Sequence, residues 1–129
     1  MTLVDTSVIV AWLDASHPLH RASLAALEHW AGRGGLAISC VTLAELAVGG
    51  RTREAVTEDL RDFETLELDA ESAWRAGLAF RQYRRQDTDD PVLPDFLIRA
   101  QAAVAGLRHL TADRRRTKSF PDVEFEFVR

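Results

Sequence analysis

Short apolar runs alternate with helix-length segments along this chain, and no other feature restricts its fold so much. Residues 2–5 read as a short buried strand, 36–39, 65–68 and 108–111 read as the next three strands, and Val123-Glu-Phe-Glu-Phe-Val128 alternates as a last one. Helices are predicted between them. Asp5-Thr6-Ser7 offers capping side chains for a helix through Val8–Leu13, which His17-Pro18 breaks. A second helix, over 18–32, carries Leu19, Ala22, Ala26, Leu27 and Trp30 at near-helical spacing and stops at Gly32-Arg-Gly-Gly35. Helices follow at 41–48 and through Ala55, Leu60 and Phe63. Residues 70–86 form a long amphipathic helix with Ala73, Trp74, Gly77 and Phe80 inward and Arg81, Arg84 and Arg85 outward. A polar loop over 87–94 leads to a helix at 95–105, which Gly106 ends.

Strands joined through helices pair parallel, because a parallel return needs a long crossover. The expected fold is α/β: a three-layer α/β/α sandwich on a parallel sheet of about five strands. Its 129 residues, 47% hydrophobic, suffice for one core and are few for two, so a single domain over 1–129 is expected. The formal net charge of −4 argues against a basic coat, although local arginine patches still leave nucleic acid open as a partner. Cys40 has no second cysteine for a disulfide or a zinc site and is expected as a buried small hydrophobe. Asp5 and Asp14 interrupt residues 1–13, which lack the features of a signal peptide. No stretch approaches the ~18 apolar residues of a membrane span. A soluble cytoplasmic protein without membrane association is the expectation.

Four carboxylates fall where such a fold gathers its loops. Asp5 ends Leu3-Val4, Glu45 lies inside Val41-Thr-Leu-Ala-Glu-Leu-Ala-Val48, Asp95 opens Phe96-Leu97-Ile98, and Asp113 closes Leu110-Thr111-Ala112. Acidic side chains are seldom fully buried unless paired or metal-bound. In parallel sheets the ligand crevice lies beyond the carboxyl ends of the strands, where Asp5 and Asp113 stand. Carboxylates brought close repel one another, and a hard divalent cation reverses that sign. Mg²⁺ suits oxygen ligands and keeps several waters, one of which can attack a phosphodiester. Such chemistry requires no Ser-His-Asp or Cys-His arrangement, and the sequence displays none. Each acid also has a plain structural reading. Asp5 can cap the first helix, Glu45 can face solvent, Asp95 suits a helix's first turn beside Pro94, and Asp113 suits a turn.

Order and spacing raise the joint pattern above those separate readings. Val4-Asp-Thr-Ser7, Thr42-Leu-Ala-Glu45-Leu, Pro94-Asp95-Phe-Leu-Ile98-Arg-Ala100 and Leu110-Thr111-Ala-Asp113 resemble, in order, the four acidic stations of the PIN-domain nucleases. The likeness is greatest to the VapC-type toxins of bacterial and archaeal toxin–antitoxin modules, and it covers essentially the whole chain. It implies Asp5, Glu45, Asp95 and Asp113 as metal-centred catalytic acids, with hydroxyls from Thr6, Ser7 or Thr111 nearby. It further implies a Mg²⁺- or Mn²⁺-dependent endoribonuclease cutting tRNA or rRNA. Such a chain would form a homodimer and be silenced by a VapB-type antitoxin. Two features depart from the family pattern. Ala112 and the basic run Arg114-Arg-Arg116 replace the usual acidic or mixed surroundings of the fourth acid, and Phe96 replaces a smaller residue, which is expected to narrow the approach to the site.

Arg114, Arg115, Arg116 and Lys118 adjoin the proposed metal site and are candidates for phosphate contact, or else a solvated loop. The arginines at 81, 84 and 85 read first as a solvated helix face. His17, His20, His29 and His109 show no metal spacing and are expected to be surface or structural residues, and Trp12, Trp30 and Trp74 core or interface residues. Two other classes compete with the nuclease. An aspartate-nucleophile phosphatase opens similarly, but needs a second acid where Ser7 stands. A non-catalytic PIN-like interaction module would not need the four acids.

Overall fold

The computed structural model describes residues 1–86, 92–115 and 117–129. Arg116, the Arg85 side chain and most of the loop expected at 87–94 lie outside the described residues. The chain runs β1 (Thr2–Val4), α1 (Thr6–Leu13), α2 (His20–Ala31), β2 (Leu36–Ser39), α3 (Cys40–Val48), α4 (Arg53–Asp59), β3 (Glu64–Leu66) and α5 (Ala70–Gln86). It continues through α6 (Leu93–Ala105), β4 (Arg108–Thr111), a 3-10 turn at Thr117–Ser119 and β5 (Phe125–Phe127). The five strands form one sheet in the order β3-β2-β1-β4-β5, with every pairing parallel. This is the expected α/β/α sandwich, and its strand order reverses direction between β1 and β4.

The two-residue period of the strands divides the core in two. Val4, Ile38 and Leu110 face a cluster with Val8, Ile9 and Leu27 of α1 and α2 and with Val56 of α4. Leu3 and Ala37 point the other way, into a cluster with Ala76 of α5 and with Phe96, Ile98 and Ala100 of α6. Burial on both faces explains why these strands read as near-continuous apolar runs.

Local signals explain the helix ends. Ser39 Oγ accepts the Val41 amide at 3.0 Å at the start of α3, and Asp69 Oδ1 accepts the Ser72 amide at 2.7 Å at the start of α5. Helix α6 ends on Gly106, whose φ of 66° is the left-handed conformation that glycine adopts without strain. Helix α2 begins two residues later than the sequence indicates. His17 Nδ1 accepts the Leu19 amide at 3.0 Å and the His17 carbonyl accepts the His20 amide at 3.0 Å, which holds 17–20 as a turn.

Three expectations fail here. Trp74 is 73% exposed and Gly77 is also exposed, whereas Ser72 and Ala76 are buried. The inward face of α5 is set by Phe80 and Tyr83, whose rings lie 5.4 and 5.5 Å from that of Phe96. Phe96 is wholly buried in that aromatic cluster with Phe120, so it underlies the core and does not narrow any approach. Cys40 is half-buried at the first position of α3, where helix geometry turns it partly outward. Among the described residues no helix is long and apolar enough to cross a membrane.

Candidate active site

Beyond the carboxyl ends of β1 and β4 lies an open cleft of about 620 Å³, lined by all four acids, Asp5, Glu45, Asp95 and Asp113, and by Thr6, Ser7, His17 and Arg115 among others. Its position is the point where the sheet order reverses, which is where parallel sheets open a crevice. The backbone joins its two sides: the Asp5 amide donates to the Leu110 carbonyl at 2.8 Å.

A net of hydroxyls then sets the side chains. Asp5, 6% exposed, caps α1, and its Oδ2 accepts Ser7 Oγ at 2.5 Å, the Ser7 amide at 3.3 Å and Thr111 Oγ1 at 3.1 Å. Both hydroxyls accept in turn: Ser7 Oγ takes the Ala112 amide and Thr111 Oγ1 the Asp113 amide, each at 3.1 Å. Asp5 is thus bonded to the loop that carries Asp113 through two one-hydroxyl bridges. On the other flank Thr6 Oγ1 donates to Glu45 Oε1 at 2.8 Å. Its single proton is spent there, so the buried Thr42 hydroxyl, 2.8 Å away, is the donor to Thr6.

The electrostatics differ from acid to acid. Burial raises the Glu45 pKa, with the Thr6 hydrogen bond opposing and the charge of Asp5 adding to the rise. Burial also pushes upward on Asp113, but hydrogen bonds from Arg115 and the charges of Arg115 and Arg99 outweigh it, and its pKa is lowered. Arg115 Nε and Nη2 lie 3.0 and 3.4 Å from the two Asp113 oxygens. Beneath Asp5 sits His109, fully buried, with Nδ1 3.1 Å from the Leu3 carbonyl and Nε2 3.8 Å from Asp5 Oδ1. A carbonyl only accepts, so Nδ1 carries the proton. Burial pulls the ring's pKa down to about 4, Asp5 and the Leu3 carbonyl opposing and Arg99 assisting, so the ring is neutral at pH 7 and its Nε2 has no hydrogen-bond partner among the described residues.

The donor set is one of carboxylate and hydroxyl oxygens, which fits a hard divalent cation and not zinc. Among the described residues, however, no three His, Cys, Asp or Glu side chains stand close enough together to enclose an ion. The reason is visible in the bonding. Asp5 is engaged by Ser7 and Thr111, Glu45 by Thr6, and Asp113 by Arg115. Such a spread suits Mg²⁺, which is commonly held by one or two carboxylates and its own waters.

Several residues at the site were not singled out from sequence. Thr42 lies three positions before Glu45 on one helix face, a spacing that could have suggested it. His109 precedes Thr111 by two on a strand and so shares its face. Arg99 interrupts the apolar run after Asp95, and is the one charge in Ile98–Ala103. His17 lines the cleft from the α1–α2 turn, which no spacing rule reaches. Of the basic candidates, Arg115 turns toward Asp113, Arg114 stacks over Phe127 at 5.0 Å, and Lys118 is exposed on the 3-10 turn.

The PIN domain family model matches residues 2–126. A comparison with curated protein sequences gives no match. Among solved structures, a toxin–antitoxin complex from Klebsiella pneumoniae aligns with a TM-score of 0.75 at 24% identity, over 95% of each chain. VapBC-5 from Mycobacterium tuberculosis, a member of the VapBC toxin–antitoxin family, aligns at 0.63 and 27% identity over 99% of this chain and 97% of that one. VapC20 from the same organism, described as a sarcin–ricin loop cleaving toxin, aligns at 0.61 and 18% identity over 96% and 99%. The match extends over almost the whole sequence, and the chain belongs to the PIN-domain family.

Proposed function

We propose that this chain is a metal-dependent endoribonuclease, the toxin of a toxin–antitoxin pair, acting on a structured RNA such as tRNA or rRNA. The observation that carries the reading is the cleft that four acids and the hydroxyl residues Thr6 and Ser7 line at the reversal point of a PIN-family sheet. Asp5, Glu45, Asp95 and Asp113 would hold Mg²⁺ or Mn²⁺. The bound ion would supply charge compensation at the phosphorus and activation of the attacking water. Asp5, fixed by Ser7 and Thr111, is the rigid member of the set. Glu45, with its raised pKa and its Thr6 bond, suits a proton acceptor for that water. Arg114, Arg115, Arg116 and Lys118 are proposed to hold flanking phosphates.

The structural neighbours support the partners: one is a toxin–antitoxin complex, one a member of the VapBC toxin–antitoxin family, and one a sarcin–ricin loop cleaving toxin. By that likeness the partner is a VapB-type antitoxin covering the cleft, and the free chain is a homodimer. Exposed apolar residues such as Val48, at 90%, and Trp74 are compatible with such contacts.

The test is cleavage of a tRNA and rRNA panel by purified protein in Mg²⁺ or Mn²⁺, with sedimentation reading the dimer. Asp5→Asn and Asp95→Asn should each abolish cleavage while the chain stays folded. Undiminished cleavage by both would remove the catalytic assignment. One observation favours a second reading, a non-catalytic interaction module: the acids are bonded separately and do not enclose an ion. That reading requires that the wild type bind no divalent cation and cut nothing on the panel.

A further inference from the structure

Arg99 is the largest fully buried side chain among the described residues, and the chemistry proposed above makes no use of it. It lies on α6 one turn beyond Asp95, is 2% exposed, and has the buried residues Ile98, Ala100 and Gln101 as neighbours. Burying a guanidinium costs several kcal/mol unless its donors and charge are met. Here its two Nη groups are met from the loop after β4. Arg99 Nη1 donates to the Arg115 carbonyl at 2.8 Å, Nη2 to the Asp113 carbonyl at 3.4 Å, and Nη2 lies 4.0 Å from Asp113 Oδ2. The face of the guanidinium stacks on Phe125 of β5, 5.4 Å from the ring centroid. Its planar fork therefore holds two carbonyls of one loop together, which a lysine ammonium cannot reproduce.

The location gives this contact a purpose beyond packing. Asp95 is carried by the helix from which Arg99 reaches, and Asp113 by the loop it grips. Both acids line the same cleft. Asp5 is bound to that loop independently, through Ser7 and Thr111. Arg99 ties α6 to it.

We propose that Arg99 is the positioning residue of the acidic cleft: it clamps the Asp113 loop to the Asp95 helix and thereby fixes the spacing of the two carboxylates toward a shared divalent cation. Removing a group that orients ligands from outside the coordination shell typically weakens metal binding by about 10–100-fold. The inference rests on the cleft being a metal site, so its test must tell the two apart.

Mn²⁺ is titrated calorimetrically, at 25 °C and in the absence of RNA, into wild type, Asp5→Asn, Arg99→Lys and Arg99→Met. Thermal unfolding in EDTA is measured on the same samples. The expected result is that the wild type binds and Asp5→Asn does not. Arg99→Lys and Arg99→Met should remain folded and bind about 10–100-fold more weakly. Should Arg99→Met fail to fold, Arg99→Lys and Phe125→Leu, which removes the supporting ring, carry the test; each should also weaken binding. A lowered melting temperature with unchanged Mn²⁺ affinity makes Arg99 a structural residue only and overturns the proposal, leaving the metal site standing. A wild type that binds no Mn²⁺ overturns both.

Discussion

At the scale of single residues, the site is built from hydroxyls as much as from acids. A hydroxyl has one proton to give, so each bridge has a direction, and direction separates residues that look alike. Thr42 donates to Thr6, and Thr6 donates to Glu45. Thr42→Val would remove the outer donor and leave the Thr6–Glu45 bond in place. It should cost about 1 kcal/mol in urea unfolding and spare cleavage. Thr6→Val removes the hydrogen bond that orients Glu45 and opposes the effect of burial on its pKa; that pKa should rise further, and single-turnover cleavage at neutral pH should fall because the carboxylate is no longer held toward the water. Equal cleavage losses in both variants would mean that the relay is not directed as inferred. Sequence exposed the four acids because carboxylates in apolar runs stand out. It concealed Thr42, His109 and Arg99, whose roles depend on partners far away along the chain: Thr6 for the first, Leu3 and Asp5 for the second, the Asp113 loop for the third.

Among the elements, the central strands β1, β2 and β4 were legible because burial on both faces leaves a run of apolar residues with few exceptions. The face of α5 was not. Ala73, Trp74, Gly77 and Phe80 and the true inward set Ser72, Ala76, Phe80 and Tyr83 differ by about one residue of phase, a rotation of about 100°. Alanines on both sides leave the apolar stripe ambiguous, and only the rings of Phe80 and Tyr83 on Phe96 decide it. The phase is also held at the start of the helix. Asp69 accepts the Ser72 amide at 2.7 Å and the Ser72 hydroxyl at 3.0 Å, and these two bonds lower its pKa, the amide bond most. A depressed carboxylate stabilises the fold above its unfolded pKa and loses that contribution as pH falls through the folded value. Asp69→Ala should therefore melt at a lower temperature than wild type at pH 7. The gap should close as pH falls below the ordinary carboxylate range. A gap that stays constant down to pH 2 would show that the cap acts without its charge.

For the whole molecule, the proposed RNA substrate raises the question of how a chain of net charge −4, with an acidic cleft, would hold a polyanion. A bulk field of that sign does not steer RNA, so affinity must come from local cations. The segment after Asp113 supplies them in unequal states. Arg114 is exposed and braced over Phe127, Lys118 is exposed, and Arg115 is bound to Asp113. Arg114 and Lys118 should therefore contact phosphate most directly. For single-stranded RNA each lost contact should flatten the plot of log affinity against log salt by ~0.7. Arg114→Ala with Lys118→Ala should weaken RNA binding at low salt and reduce the slope by about twice that amount, with Mn²⁺ affinity unchanged. Filter binding across a salt series, on a cleavage-dead Asp5→Asn background, isolates the binding step, and Mn²⁺ affinity is read separately with Asp5 intact. A slope equal to that of the parent would make 114–118 a solvated loop. The electrostatic contact would then pass to the exposed Arg81 and Arg84 on α5, Arg84 being braced over Phe80 at 5.6 Å as Arg114 is over Phe127.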